Sequence, residues 1–166
     1  MPHRPYNILF LCTGNSARSI MAEALANHLP VGQGKFKAYS AGSKPGGKVN
    51  PLALETLAHF AVPSGTPRSK SWDEFAAVDA PVLDFVITVC DNAAGETCPW
   101  WPGVPVTAHW GVPDPPAAGD EAAQRSAFRD AFLTLRRRVE KLASLPFDQL
   151  DHAALEARAR ALGSQP

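Results

Sequence analysis

The sequence predicts an α/β fold, a small doubly wound three-layer sandwich on a four-stranded parallel sheet of order 2-1-3-4, with helices on both faces. Three observations carry this reading. Short apolar runs alternate along the chain with segments of helical periodicity. The first run, residues 7–11, is continuous rather than alternating, as befits a strand buried on both faces. It passes through a glycine-containing loop directly into a helix-like stretch.

Ile8-Leu9-Phe10-Leu11 is the heart of the first strand. Ser16 or Ser19 is placed to cap the next helix, where Ile20, Met21, Ala24, Leu25 and Leu29 keep helical spacing as far as Pro30. Gly32 and Gly34 make a turn, and Phe36-Lys37-Ala38-Tyr39-Ser40-Ala41 reads as the second strand. Residues 42–48 read as a flexible loop. Asn50 and Pro51 are an N-cap and a first helical position, opening a helix through Leu54, Leu57 and Phe60. A connection rich in Pro, Ser and Gly over 62–71 leads to a short helix near 72–77. Residues 83–89 form the third strand and 105–110 a short fourth. Phe128, Phe132, Leu135, Val139 and Leu142 mark a long amphipathic helix, with Arg136, Arg137 and Arg138 as its solvated face. A last helical piece spans 151–162.

A chain of 166 residues is expected to form one domain over 1–166, with 147–166 a C-terminal helical extension. Sixteen basic and sixteen acidic side chains give a formal charge of zero, which gives no reason to expect nucleic acid or an anionic membrane as partner. No apolar run approaches the roughly 18 residues of a membrane span. The N-terminus leads into the first strand without an apolar signal core, so a cytoplasmic location is expected. Cytosolic thiols stay reduced, which turns three cysteines toward catalysis or redox chemistry rather than a disulfide scaffold. The five histidines, His3, His28, His59, His109 and His152, show no zinc-like spacing, so no metal site is expected.

The chemistry concentrates in Cys12-Thr13-Gly14-Asn15-Ser16-Ala17-Arg18-Ser19. A strand, a tight loop and a helix N-terminus supply what a tetrahedral oxyanion needs: successive backbone N–H groups forming a nest, and the positive end of a helix. Arg18 adds a planar fork that grips two oxygens. Such a field favours a thiolate and suits Cys12 to act as a nucleophile. For an isolated Cys-x5-Arg, a buried cysteine beside an ordinary turn would be the better reading. The strand before it, the helix after it, and Gly14, Asn15, Ser16 and Ser19 around it reverse that preference.

Cys90 ends the third strand as Cys12 ends the first. In a 2-1-3-4 sheet those strands are neighbours, about 4.8 Å apart, and ligands bind at that switch point. A disulfide needs Cα atoms about 4.4–6.8 Å apart, so a short loop movement can join the two sulfurs. Cys98 lies eight residues further on, past a polar, glycine-containing segment able to fold back or unwind. Asp114, between Pro113 and Pro115 in a stiff loop after the fourth strand, faces the same rim and is placed to protonate a departing oxygen. His109 and Trp110 read as packing and loop-fixing residues, and 100–103 as a cover over a hydrophobic edge.

Cys12-x5-Arg18-Ser19 with the later Asp114-Pro115 resembles the low-molecular-weight protein tyrosine phosphatase superfamily over nearly the whole chain. Thr88-Val89-Cys90-Asp91, Cys98-Pro99, His109-Trp110-Gly111 and Asp114-Pro115 are similar to its thiol-linked arsenate reductase branch. The resemblance implies a triple-cysteine relay. Cys12 attacks arsenate, Arg18 and the loop amides hold the charged oxygens, and Asp114 assists loss of hydroxide. Cys90 then attacks the Cys12 sulfur, and Cys98 takes the disulfide to the surface. It also implies no bound cofactor and an external thiol reductant, either thioredoxin or glutaredoxin with glutathione; a monomer is expected. Ala17 stands where relatives often carry another cysteine, and the Cys90–Cys98 spacing is one residue longer than in thioredoxin-linked members, which leaves the reductant open. Some relatives bind potassium through residues resembling Asn15, Glu23 and Ser40 plus a downstream aspartate. Lys70 stands at that aspartate's place, so its ammonium is expected to substitute for the cation.

Two other functions use the same motif. A phosphatase acting on phosphotyrosine or a small phosphoester needs Cys12, Arg18 and Asp114, but has no use for Cys90 and Cys98. Such enzymes also usually place an aromatic after Asp-Pro, where this chain has Pro116. A thiol redox sensor signalling through Cys12–Cys90 oxidation has no use for Asp114.

Overall fold

Strand β1 (Tyr6–Cys12) is the axis of the sheet. It pairs in parallel with β2 (Phe36–Gly42), from Tyr6↔Phe36 to Cys12↔Gly42, and with β3 (Phe85–Thr88), from Ile8↔Phe85 to Leu11↔Thr88. Strand β4 (Val106–His109) adds to the far side of β3, giving the order β2-β1-β3-β4. The structure is a computed structural model in which residues 5–32, 34–90, 101 and 103–164 are described.

The continuous apolar run of β1 follows from burial on two faces. Ile8 and Phe10 point to one side and Leu9 and Leu11 to the other, all with no exposed surface. The first side packs against α1 (Arg18–His28), α2 (Pro51–His59) and α3 (Glu121–Ala143) through Met21, Leu25, Leu57, Phe128, Phe132 and Leu135. The second is closed by a 3-10 helix, Trp72–Phe75, and by Trp101. The C-terminal helix α4 (His152–Leu162) packs against β4.

Most element starts are those the residues announce. Asn50 accepts from the Leu52 amide with Pro51 first in α2, while Asp120 and Asp151 cap α3 and α4 through the Ala123 and Ala154 amides. The segment expected as a short helix near 72–77 is a single 3-10 turn, capped by Ser71. The cap expected from Ser16 or Ser19 does not form: Ala17 occupies the N-cap of α1 with no side-chain bond. A larger departure concerns Arg138. Instead of lying on a solvated face it is only 6% exposed, its guanidinium turned inward to the carbonyls of Gly111 and Gly163. Among the described residues no helix is long and apolar enough to cross a membrane.

Candidate functional site

The Cys12 loop owes its shape to bonds made on its outer side. Thr13 O accepts from Lys44 N (2.9 Å), Gly14 O from Gly46 N and Ser69 Oγ (both 3.1 Å), and Ser16 O from Asn50 N (2.8 Å). In a trans peptide the C=O of one residue and the N–H of the next point opposite ways. With those carbonyls tied to Lys44, Gly46, Ser69 and Asn50, the N–H groups of Gly14, Asn15 and Ala17 are directed away from those partners, as the anion-binding nest expected here requires. The segment 42–48, expected as a flexible loop, is therefore stitched onto the site, with Gly47 N also bonded to Ser69 Oγ (3.1 Å).

Gly42 shows how tight the fit is. A Cβ there would lie 2.4 Å from Thr13 O and 3.0 Å from Asn15 N. Gly42→Ala therefore has to push the loop out of place, at about 1–3 kcal/mol for such overpacking. The expected fall in Tm, at about 2–4 °C per kcal/mol for a domain of this size, is read by thermal denaturation. An unchanged Tm would mean that the loop yields freely.

Asn15 sits in the left-handed region at φ 47°, which asparagine tolerates better than most residues. Both ends of its amide are used. Oδ1 accepts from Lys70 N (2.8 Å), which leaves Nδ2 to donate to Ser19 Oγ (2.9 Å). Since Ser19 accepts from Asn15, its own proton is available to Cys12 Sγ, 2.8 Å away. Ser19 thus bonds to Asn15 and Cys12 rather than capping the helix, and as the second residue of α1 it lies past the N-cap position.

Arg18 starts α1 and reaches across to the loop after β4. It donates to Val112 O (2.9 Å), and its other terminal nitrogen lies 3.3 Å from Asp114 Oδ1. The Cys12 loop and the carboxylate expected to act as acid are therefore joined by one guanidinium. Asp114 is half exposed at the rim.

Cys12 ends β1 and Cys90 lies two residues beyond the adjacent β3; both are buried and in no disulfide. Val89 N still bonds to Leu11 O (2.8 Å), which holds the chain in register as far as Cys90. Cys90 Sγ lies 3.6 Å from the Thr13 hydroxyl, against the Cys12 loop. Cys98 and Trp100 lie outside the described residues. His109 and Trp110 do the packing expected of them: His109 Nδ1 is 2.7 Å from Thr88 Oγ1, and the fully buried Trp110 donates to Ala159 O (2.9 Å).

Below the loop lies a charged layer. Ser40 donates to Glu23 Oε1 (2.6 Å), and the buried Lys70 donates through Nζ to Arg68 O (2.9 Å). Burial pushes the Glu23 carboxyl above its ordinary value, against the Ser40 bond and the nearby Lys70 and Arg68 cations. Burial likewise pushes the Lys70 ammonium down, against the pull of Glu23.

A family model described as low molecular weight phosphotyrosine protein phosphatase matches residues 7–157. The chain belongs to this family. Among curated relatives, an arsenate reductase of Bacillus subtilis is 36% identical over 124 residues, 73% of this chain and 82% of the relative. An arsenate reductase of Halalkalibacterium halodurans is 34% identical over 137 residues, 82% of this chain and 94% of the relative. A solved structure described as an arsenate reductase in the phosphate binding state superposes with a TM-score of 0.65 at 27% identity, covering 84% of this chain and 97% of that one.

Two contributors to the site carry no signal in the sequence, and Arg138, expected on a solvated face, is buried beside it. Ser69 fixes Gly14 from 55 residues away, a pairing no local pattern announces. The Val112 carbonyl holds Arg18, and backbone acceptors leave no trace in residue type. Arg138 did carry a signal: it falls three residues after Leu135 and one before Val139, on the buried stripe of α3.

Proposed function

We propose that the protein reduces arsenate to arsenite by a thiol relay, in the cytoplasm, drawing electrons from an external dithiol. The observation that carries this reading is Cys90, a second buried thiol set against the loop of the first, which phosphoryl transfer alone does not require. Arsenate binds in the nest of loop amides with Arg18 across its oxygens. The Cys12 thiolate attacks arsenic and forms an S–As bond. One oxygen leaves as water after Asp114 supplies a proton. Cys90 then attacks Cys12 Sγ. An S–S bond forms, the S–As electron pair passes to arsenic, As(V) becomes As(III), and arsenite departs. Cys98 attacks Cys90 in turn, freeing Cys12 and leaving a Cys90–Cys98 disulfide that thioredoxin, or glutaredoxin with glutathione, reduces. Per turn, arsenate and one dithiol yield arsenite, one disulfide and water.

The test is arsenate-dependent NADPH oxidation with each reductant system, beside hydrolysis of a phosphotyrosine substrate. Arsenate turnover with weak ester hydrolysis supports the reductase. Strong phosphotyrosine hydrolysis without arsenate turnover would favour the phosphatase reading.

In this scheme the Lys70 ammonium occupies the role of a resident monovalent cation beneath the loop. Asn15, Glu23 and Ser40 do not complete a cation shell here, because the fourth member is itself positive. Kinetics and Tm are accordingly expected to be the same in potassium and sodium at equal ionic strength; a potassium-specific gain contradicts the assignment. Lys70→Met removes a charge that draws Glu23 downward. Glu23 already titrates above its unfolded value, so its share of stability is present at low pH and lost as pH rises through the folded value. With that value raised further, the variant should lose about 2–4 °C more than wild type between pH 5 and pH 8, equivalent to about 1 kcal/mol, as read by calorimetry.

A further inference from the structure

We propose that helix α4, acting through Gly163, Trp110 and Arg138, positions the Asp114 loop, so that the C-terminal segment governs the acid-assisted step of the reaction; this rests on the role given to Asp114 above. The loop leaves β4 at His109 and reaches Asp114 five residues later. On one side it is held by the sheet, with Trp110 N bonded to Thr88 O (2.7 Å) and Val112 N to Val89 O (3.1 Å). On the other side it is held by α4 and the residues just after it. The Trp110 indole donates to Ala159 O within the core. Arg138, buried on α3, spans the two segments, with one terminal nitrogen 3.3 Å from Gly111 O and the other 3.3 Å from Gly163 O.

Gly163 is where the two meet most closely. A Cβ there would lie 2.0 Å from His109 O and 3.0 Å from Trp110 Cδ1. Its φ of −67° is open to any residue, so glycine is needed for room and not for conformation. The helix is also registered along β4 rather than touching only its end. Glu156 accepts from Thr107 N (3.1 Å), and Arg160 donates to Thr107 O (2.9 Å). These two bonds satisfy the outward backbone groups of an edge strand and fix α4 against it. A shift of α4 is thereby passed to 109–111, and from there to Asp114. Displacing a reacting group by about 1 Å can cost 10²-fold in rate. Ala159 and Gly163 stand beyond the residues that the family match spans.

A double-mutant cycle tests this on the full chain, with arsenate turnover, KM and Tm measured for wild type, Gly163→Ala, Asp114→Asn and the pair. Gly163→Ala is expected to lower kcat about 10-fold or more with KM for arsenate within about twofold. In the Asp114→Asn background it should add nothing, because two changes acting through one group do not multiply. Arg138→Lys, which keeps the charge but cannot span both carbonyls, must show the same coupling even if Gly163→Ala folds poorly. An unchanged kcat, or an equal fall in both backgrounds, overturns the proposal. No effect of Asp114→Asn alone would instead remove the acid role on which it rests.

Discussion

Replacing Cys90 by serine is expected to end catalytic cycling with arsenate, lowering steady-state turnover by at least about 10³-fold, while leaving Cys12 able to take up one arsenate. The reason is electronic. Reduction of arsenic requires that the S–As pair pass to arsenic as a new S–S bond forms at Cys12, and a serine hydroxyl cannot supply that bond. Cys90 lies two residues beyond β3 against the Thr13 hydroxyl, and serine there keeps a hydroxyl facing that loop. Any hydrolysis of phosphate esters by Cys12, Arg18 and Asp114 should therefore survive in Cys90→Ser. The paired assays separate a relay from a general loss of fold. Turnover near wild type in Cys90→Ser would assign the second thiol step to an external thiol.

Arg18→Lys is the second large effect. The guanidinium carries five N–H donors in a plane, and two of them already join Val112 O and Asp114. Lysine keeps the charge but loses the fork, so it can neither span two oxygens of a tetrahedral anion nor hold the loop while doing so. Removing one preorganised oxyanion donor typically costs about 10²–10³-fold, and kcat/KM for arsenate is expected to fall by that amount. The intrinsic reaction of Cys12 with iodoacetamide should change far less, since Ser19 and Asn15 stay in place. A loss below about tenfold would mean that the loop amides alone carry the oxyanion.

The sequence disclosed the parts of the site that depend on local chemistry. Burial of β1 on two faces needs consecutive apolar residues, and Asn50-Pro51 announces a helix start by its own geometry. The loop between Cys12 and Arg18 is legible because an apolar strand runs into it and a helix leaves it, with glycine and small polar residues between. What stayed hidden is long-range. Ser19 has the chemistry of an N-cap, yet Asn15 and Cys12 compete for its hydroxyl and take it. Arg138 was read by its charge, when its place on the heptad-like stripe of α3 gave the truer indication. The segment 42–48 looks like a free loop because its partners, the carbonyls of Thr13 and Gly14, are backbone atoms of another element. In each case the decisive partner lies far along the chain or carries no side-chain signature.

The central claim is that Cys12 and Cys90 exchange a bond when arsenic is reduced. It is tested most directly by a single turnover of Cys98→Ser with arsenate, in the absence of added thiol, followed by acid quenching and peptide mass analysis. The relay predicts one Cys12–Cys90 disulfide per arsenite released. Arsenite released while Cys90 remains a free thiol would contradict it.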